Sequence, residues 1–291
     1  MLKKKRKSPF PMQPTFIEAT TLDDAWHQCL YEILRAEEKG TGRKYKIDHG
    51  SYQGQYRLEF DFVNVRIKFP ETRPLAPIIC QLGIPPPCTE EYIENDYLLY
   101  LLSGDKKPNE DYTYGERLVN PHFRIKRNVF EQILRKKGMD KESLEKVCQA
   151  LSIDEFLEIS TKINPVEEVI QMYKEKGYGT NQATLEIGMP PDITLGDPPC
   201  LRMIDTRIKK DQEGKWKLNF IVYFRSWDLW GGFPANLGGI QLLKEYMANS
   251  IGVAPGETIA LSKGLHLYDH YWELAETLTY QYKKKIENEQ R

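Results

Sequence analysis

The stretch Tyr223-Phe224-Arg225-Ser226-Trp227-Asp228-Leu229-Trp230-Gly231-Gly232-Phe233-Pro234-Ala235-Asn236 sets Arg225, Ser226, Asp228 and Asn236 among aromatic residues and a Gly-Gly pair. Trp216 to Phe224, which leads into it, reads as a short strand, and Leu237 to Ser250, which follows, reads as a helix. The quoted segment is therefore a strand-to-helix connection crowded with side chains that can bind or react. Upstream, Leu201 to Ile208 is a second strand, joined to the first through the hairpin loop Lys210-Asp211-Gln212-Glu213-Gly214. Ahead of that strand stand Asp197-Pro198-Pro199-Cys200, a strand over Ala183 to Ile187, and a helix from Val166 to Lys176 closed by Gly177. Downstream, Thr258 to Leu267 reads as one strand that carries Gly264-Leu265-His266-Leu267-Tyr268 at its end, and a last helix starts at Trp272.

Working further outward, Thr21-Leu22-Asp23-Asp24 starts a helix with Ala25, Cys29, Ile33 and Leu34 on its apolar face, and the ordered chain is expected to begin there. It ends near Gly40. Tyr56 to Phe69 alternates with period two over fourteen residues, which predicts one long strand buried on one face and ended by Pro70, Pro74 and Pro77. Beyond Pro85-Pro86-Pro87, the apolar run within Tyr92 to Leu102 predicts a buried helix stopped at Gly104. Asn120 to Leu157 is rich in Lys, Arg and Glu, with amphipathic stretches at Val129 to Lys136 and Lys141 to Leu151, and predicts a helical pair inserted on the surface (about 120–157). Residues 1–14 join Lys3, Lys4, Lys5, Arg6 and Lys7 to Pro9, Pro11 and Pro14, a composition that predicts a mobile basic tail. Helices and strands mix without regular βαβ alternation, and neither G-x-G-x-x-G nor G-x-x-x-x-G-K-[ST] occurs. The expected class is α+β, a mixed β-sheet packed with helices in a single domain.

With 41 Lys+Arg against 42 Asp+Glu, the formal net charge of −1 offers no polycation for a nucleic-acid partner. Hydrophobic residues at 40% and charged residues at 29% are globular proportions, ample for a core over 291 residues. No apolar run approaches the ~20 residues a membrane span needs, and MLKKKRK runs into SPFPMQP without the apolar segment of a signal peptide. A cytoplasmic location without a membrane partner is expected. Cys29, Cys80, Cys88, Cys148 and Cys200 are odd in number, scattered and free of C-x-x-C, so neither a disulfide framework nor a metal is implied.

Three blocks in order, Pro198-Pro199-Cys200, Arg225-Ser226 through Asn236, and His266-Leu267-Tyr268, resemble the thymidylate synthase family. That family carries Pro-Pro-Cys, Arg-Ser-x-Asp-x-x-x-Gly-x-Pro-x-Asn and His-x-Tyr, and the middle block here is in register without a gap. The resemblance implies a thymidylate-synthase-like catalytic domain over 15–291 that methylates dUMP at carbon 5 to give dTMP. Cys200 would be the nucleophile, because carbon 5 of uracil becomes reactive only after a thiolate adds at carbon 6. Arg225 would hold the phosphate with Ser226 and lower the thiol pKa. Asn236 would read the base, accepting from N3–H and donating to O4, an order that cytosine reverses. His266 and Tyr268, two apart on a strand, would share the sugar hydroxyl, Asp228 would bind the pterin of the one-carbon donor, and His270 falls outside the pattern as a structural residue. Without the companion blocks, Cys200 would read as a small buried hydrophobe, Asp228 as a loop acid and Asn236 as a turn or helix cap.

The chain also departs from the family. Leu98 to Asp105 and Tyr114-Gly115 look like its Leu-Leu-Trp-Phe-Leu-x-Gly-Asp and Tyr-Gly segments, and in that register its catalytic glutamate falls on Tyr97, with Glu94 and Asp96 as substitutes. Asn181 and Gln182 stand where paired arginines reach across the dimer, which implies a monomer, or a homodimer without that pair. The missing charge would come from Arg43, Lys44 or Arg202. The chain ends in Lys283-Lys284-Lys285-Ile286-Glu287 without the stretch that closes over folate, which resembles the archaeal-type branch. The donor is then a reduced pterin, methylenetetrahydrofolate or a methanopterin analogue. A pyrimidine nucleotide hydroxymethylase and a degenerate nucleotide-binding protein remain the alternatives.

Overall fold

The computed structural model describes residues 11–79, 83–107 and 110–289, with side chains as far as residue 280. The basic run before Pro11 and Cys80 lie outside the described residues. In chain order the first part comprises β1 (Pro14–Ala19), α1 (Leu22–Ile33), α2 (Ala36–Lys39), β2 (Gly42–Lys46), β3 (Tyr56–Phe60) and β4 (Phe62–Ile67). A π-helix (Tyr92–Tyr97) runs directly into α3 (Leu98–Leu102), followed by α4 (Tyr114–Val119), β5 (His122–Lys126), α5 (Arg127–Lys136), α6 (Lys141–Ala150) and β6 (Phe156–Ser160). Then come α7 (Pro165–Lys176), β7 (Thr184–Glu186), a 3-10 turn (Pro190–Thr194), β8 (Leu201–Lys210), β9 (Trp216–Phe224) and β10 (Trp227–Asp228). The chain closes with α8 (Gly232–Ile251), β11 (Ala254–Ser262), β12 (Leu265–Tyr268) and α9 (Trp272–Glu289).

A mixed six-stranded sheet in the order β1-β4-β11-β9-β8-β7 packs against α8 and α1, and a four-stranded sheet runs β10-β12-β3-β2. This is the expected α+β class. Order begins earlier than Thr21, however: Pro14 to Ala19 pairs in parallel with β4 and buries Thr15, Ile17 and Ala19 on alternate positions. Thr21 does cap α1, its side chain accepting from the Asp24 amide at 3.2 Å.

Two predicted long strands each divide between the sheets. The alternating run from Tyr56 breaks at Asp61 into β3 and β4, and the run read over Thr258 to Leu267 breaks at Lys263-Gly264 into β11 and β12. The breaks face each other in one antiparallel ribbon. Val63 pairs with Ser262 on one side of the bend and Glu59 with His266 on the other, so no residue is gained or lost across it. Side-chain alternation passes through such a bend unchanged, so the pattern alone cannot reveal it.

The helix read from Leu237 starts five residues earlier, at Gly232. Gly231, Gly232 and Pro234 look like helix breakers, but the Asp228 carboxylate accepts the amides of Gly231 and Gly232 at 2.9 Å, and Pro234 lies in the first turn, where no intrahelical N–H is required. α8 becomes the central helix, burying Phe233, Leu237, Ile240, Leu243 and Met247. The Tyr92 to Leu102 helix is present but not wholly buried: Ile93, Tyr97 and Leu101 face the core while Leu99 is 62% exposed.

Within the expected insert, α5 and α6 occur as predicted, but they stand on a two-stranded ribbon of β5 and β6 that sequence reading missed. Leu144, Cys148 and Ile153 form a small apolar cluster there, separate from the main core, and α5 buries no residue fully. Among the described residues no helix is long and apolar enough to cross a membrane.

Candidate active site

Cys200 stands half-buried at the head of β8, where the loop from the 3-10 turn enters the six-stranded sheet. The loop is anchored by buried polar contacts. Asp192 accepts the Met189 amide at 2.7 Å and pairs with the buried Arg117 of α4 at 3.0 Å. The end of β9 holds the cysteine from the other side: the Arg225 amide donates to the Cys200 carbonyl at 2.8 Å, and the guanidinium donates to the Pro198 and Pro199 carbonyls and to Asp197 at 2.7 Å. Arg225 thus clasps the Pro-Pro approach to the thiol. Burial pushes the Cys200 thiol above its ordinary range, a larger effect than the opposing pull of Arg225 and Arg202, and Asp197 pushes it the same way as burial. The expected lowering by Arg225 is present as a contribution but does not prevail.

Asn236 lies in the first turns of α8 rather than in a loop. Its Oδ1 accepts from Trp227 Nε1 at 2.8 Å and its Nδ2 donates to Tyr97 Oη at 2.5 Å. One N–H and one oxygen lone pair of the amide remain for a ligand. Trp227 is itself fixed between Phe224, stacked at 3.9 Å, and Phe233. Asn236 and Tyr97 belong to a cleft of about 440 Å³ walled also by Tyr100, Tyr112, Tyr114 and Asp96. The wall leads to the thiol, since Tyr100 Oη accepts the Tyr114 amide at 3.1 Å and Tyr114 Oη accepts the Leu201 amide at 3.1 Å. Gly115 makes this possible: a Cβ there would stand 2.1 Å from the Tyr100 and Ser103 carbonyls.

Tyr97 is buried, and desolvation raises its phenol well above the usual range, so it is a neutral hydrogen-bonding group where the resemblance implies an acid. Of the two substitutes, Asp96 borders the cleft, whereas Glu94 bears on Arg73. Glu94 is exposed while Tyr97 is buried, because the segment winds as a π-helix, in which the i and i+5 residues Tyr92 and Tyr97 come together with ring centroids 6.2 Å apart.

The third group comes from the four-stranded sheet. His266 and Tyr268 lie on one face, ring centroids 4.9 Å apart, with Asp228 of β10 beside His266 and with Glu59 and Arg57 of β3 opposite the pair. His266 Nδ1 is 2.9 Å from the Gly264 carbonyl, its Nε2 is buried without a partner, and desolvation lowers its pKa. An imidazole so held is neutral and keeps one ring nitrogen for a ligand. Burial and Asp228 raise the Tyr268 phenol, which also feels Cys200. Ser226 is half-buried beside Arg225. Asp228 is more than a loop acid: besides the two glycine amides, its Oδ1 accepts the Trp230 amide at 3.2 Å, leaving that oxygen with capacity for one more donor. His270 completes a triangle of rings with Tyr52 and Tyr268, its centroid 5.5 and 5.8 Å from theirs.

Among the proposed extra cations, Arg202 bears on Cys200, while Arg43 pairs with Asp61 at 3.5 Å and Lys44 lies over the rings of Tyr56 and Trp272. Asn181 and Gln182 are exposed. Sequence reading missed Asp197, Arg57 and the tyrosine wall. Arg57 sat in plain view on the polar face of the alternating run, but only the bent ribbon shows that this face meets His266 and Tyr268.

The sequence model of the thymidylate synthase family matches residues 128–289. Proteins named "Putative thymidylate synthase" from Methanosarcina barkeri and Methanosarcina mazei are 26% and 27% identical to this chain, each alignment covering 90% of it and 93% of the relative. A third of that name from Methanococcoides burtonii is 26% identical over the same shares. With its three sequence blocks gathered around one thiol and more than half its length matched, the chain belongs to the thymidylate synthase family.

Proposed function

We propose that this chain methylates dUMP at carbon 5, with Cys200 as the nucleophile. The observation that carries the reading is that Cys200 and Asn236 are joined by one tyrosine wall, so a single pyrimidine can meet a thiol and a base-reading amide together. The Cys200 thiolate adds to carbon 6, the ring electrons move onto O4, and carbon 5 becomes nucleophilic. The free N–H and lone pair of Asn236 suit O4 and N3–H of uracil, and the N–H stabilises the charge that develops on O4. Arg225 and Ser226 hold the phosphate, with Arg202 as the nearby second cation, and the free Nε2 of His266 and the Tyr268 hydroxyl hold the sugar. A reduced pterin, methylenetetrahydrofolate or a methanopterin analogue, would supply both the methylene carbon that carbon 5 takes up and the hydride that reduces it to a methyl group, while carbon 5 loses its proton and the Cys200 thiolate leaves carbon 6. Asp228 fits the pterin ring through the remaining capacity of Oδ1.

dUMP tritiated at carbon 5 tests the reading before the donor is known, since tritium leaves only when carbon 5 is activated. The chain should release tritium and form a covalent adduct with 5-fluoro-dUMP, and Cys200→Ala should do neither. An unchanged adduct in the variant would move the nucleophile elsewhere. The neutral Tyr97 favours a second reading, a protein that binds the nucleotide without turning it over. Tight dUMP binding with no tritium release from the unaltered chain, whatever pterin is added, would establish that alternative.

A further inference from the structure

We infer that Glu116, His122 and Glu158 form a site for one divalent transition-metal ion of the zinc class, where the β5–β6 ribbon meets α4. Each offers one ligand atom, and the three atoms lie within 4.8 Å of one another. Glu116 makes this more than a gathering of acids. It is 1% exposed, yet neither of its carboxylate oxygens has a hydrogen-bond partner. A buried carboxylate without donors is a rarity that calls for a bound group.

His122 Nδ1 approaches Glu116 Oε1 to 3.3 Å without the alignment of a hydrogen bond. Two ligands about 2.0–2.1 Å from a tetrahedral ion stand about 3.3–3.4 Å apart and point at the ion, not at each other. Glu158 comes from the neighbouring strand, in which Ser160 pairs with His122 and Glu158 with Arg124. Its carboxylate is partly exposed and held by Lys106 at 3.2 Å and Arg124 at 3.3 Å, contacts that an exposed side chain exchanges readily for a dication. One imidazole nitrogen with two carboxylates suits zinc, whereas magnesium and calcium prefer all-oxygen sites. Once Glu158 turns from Lys106 and Arg124 to the ion, the two carboxylates balance the charge of a dication, and water completes the fourth position.

Glu116 lies two residues after Tyr114, whose hydroxyl receives the Leu201 amide beside Cys200. The ion would therefore pin the inserted ribbon to the helix that carries part of the cleft wall, with none of its ligands in the cleft itself. His122 stands six positions after Glu116 and Glu158 thirty-six positions after His122, a spacing that no compact metal motif displays.

The full chain, stripped with a chelator and dialysed, is to be titrated with Zn²⁺ and, for its visible absorption, with Co²⁺. One equivalent should bind, with a tetrahedral Co²⁺ spectrum and a raised melting temperature. His122→Ala and Glu158→Gln should each weaken binding at least about tenfold while leaving tritium release from dUMP unchanged. Should His122→Ala fail to fold, the exposed and isosteric Glu158→Gln decides alone. No saturable uptake by the unaltered chain, or equal uptake by Glu158→Gln, overturns the site. Metal uptake and the melting temperature are read without dUMP, so the metal site and the proposed reaction stand or fall separately.

Discussion

Arg225 and Asp197 form a 2.7 Å ion pair directly ahead of the Cys200 thiol, with the arginine side chain 27% exposed and the aspartate 86% exposed. The carboxylate occupies the same guanidinium that the proposed reaction gives to phosphate. It also works against the cysteine, raising the thiol that Arg225 lowers.

Asp197→Asn should therefore free the Arg225 guanidinium for phosphate and lower the thiol. With one anion fewer beside it, the Cys200 thiol falls toward its ordinary range, and more thiolate is present at any pH below that range. Adduct formation with 5-fluoro-dUMP at neutral pH should rise by about two- to fivefold, the scale of one exposed charge pair, and its pH profile should move to lower pH. A profile that stays in place would show that Asp197 is electrically irrelevant to the thiol.

Asn236→Asp tests the base reading. The new carboxylate can still accept from Trp227 Nε1 and can accept the Tyr97 hydroxyl, so the helix start should keep its structure. What changes is the remaining face, which loses its donor to O4 and suits the amino group of cytosine instead. Preference should shift toward dCMP by about 1–3 kcal/mol, the scale of one unsatisfied buried polar group. Competition binding of the two nucleotides measures it, and an unaltered ratio would remove Asn236 from the role.

Lys244, wholly buried on α8, donates to the Gly256 carbonyl at 2.7 Å and to Thr258 Oγ1 at 2.6 Å. Burial lowers its pKa to about 7, against the pull of Glu71, Glu245 and Glu257. Between that value and the ordinary lysine range the unfolded chain binds a proton that the folded chain lacks, so stability rises with pH across this window. The gain is at most about 1.4 kcal/mol per pH unit, and below the folded value it vanishes because both states are charged. Urea melts at several pH values should show the rise, and Lys244→Met should flatten it. A variant with the same slope would assign the dependence to other groups.

The three motif blocks, the helix start at Thr21 and the helix stop at Gly177 were legible because they are local. A cap needs only the next few residues, and Pro-Pro-Cys needs no partner to be noticed. The tyrosine wall was not legible: Tyr97 and Tyr100 read as part of a buried apolar helix and Tyr114 as part of a separate Tyr-Gly segment, and only the fold places Tyr114 against Leu201. The early start of α8 was hidden because Gly231-Gly232 reads as a break unless Asp228 is seen to hold both amides. The β5–β6 ribbon escaped because its residues are mostly half-buried on both faces and carry no clean alternation. β1 escaped for a different reason, since it opens on Pro14 directly after a run of lysines and prolines whose composition reads as a tail, which masks the alternation of Thr15, Ile17 and Ala19.

The bent ribbon has a consequence for how the length of this chain can vary. Because β3–β4 and β11–β12 keep one register through both sheets, a single residue inserted near Asp61 or Gly264 would offset every pair beyond it. Leu265 and Leu267 would then turn to the face now held by His266 and Tyr268. Insertions and deletions should therefore be excluded at this bend, although it looks like a loop, and should collect in the segment between β5 and β6, where added length changes no pairing in the two larger sheets.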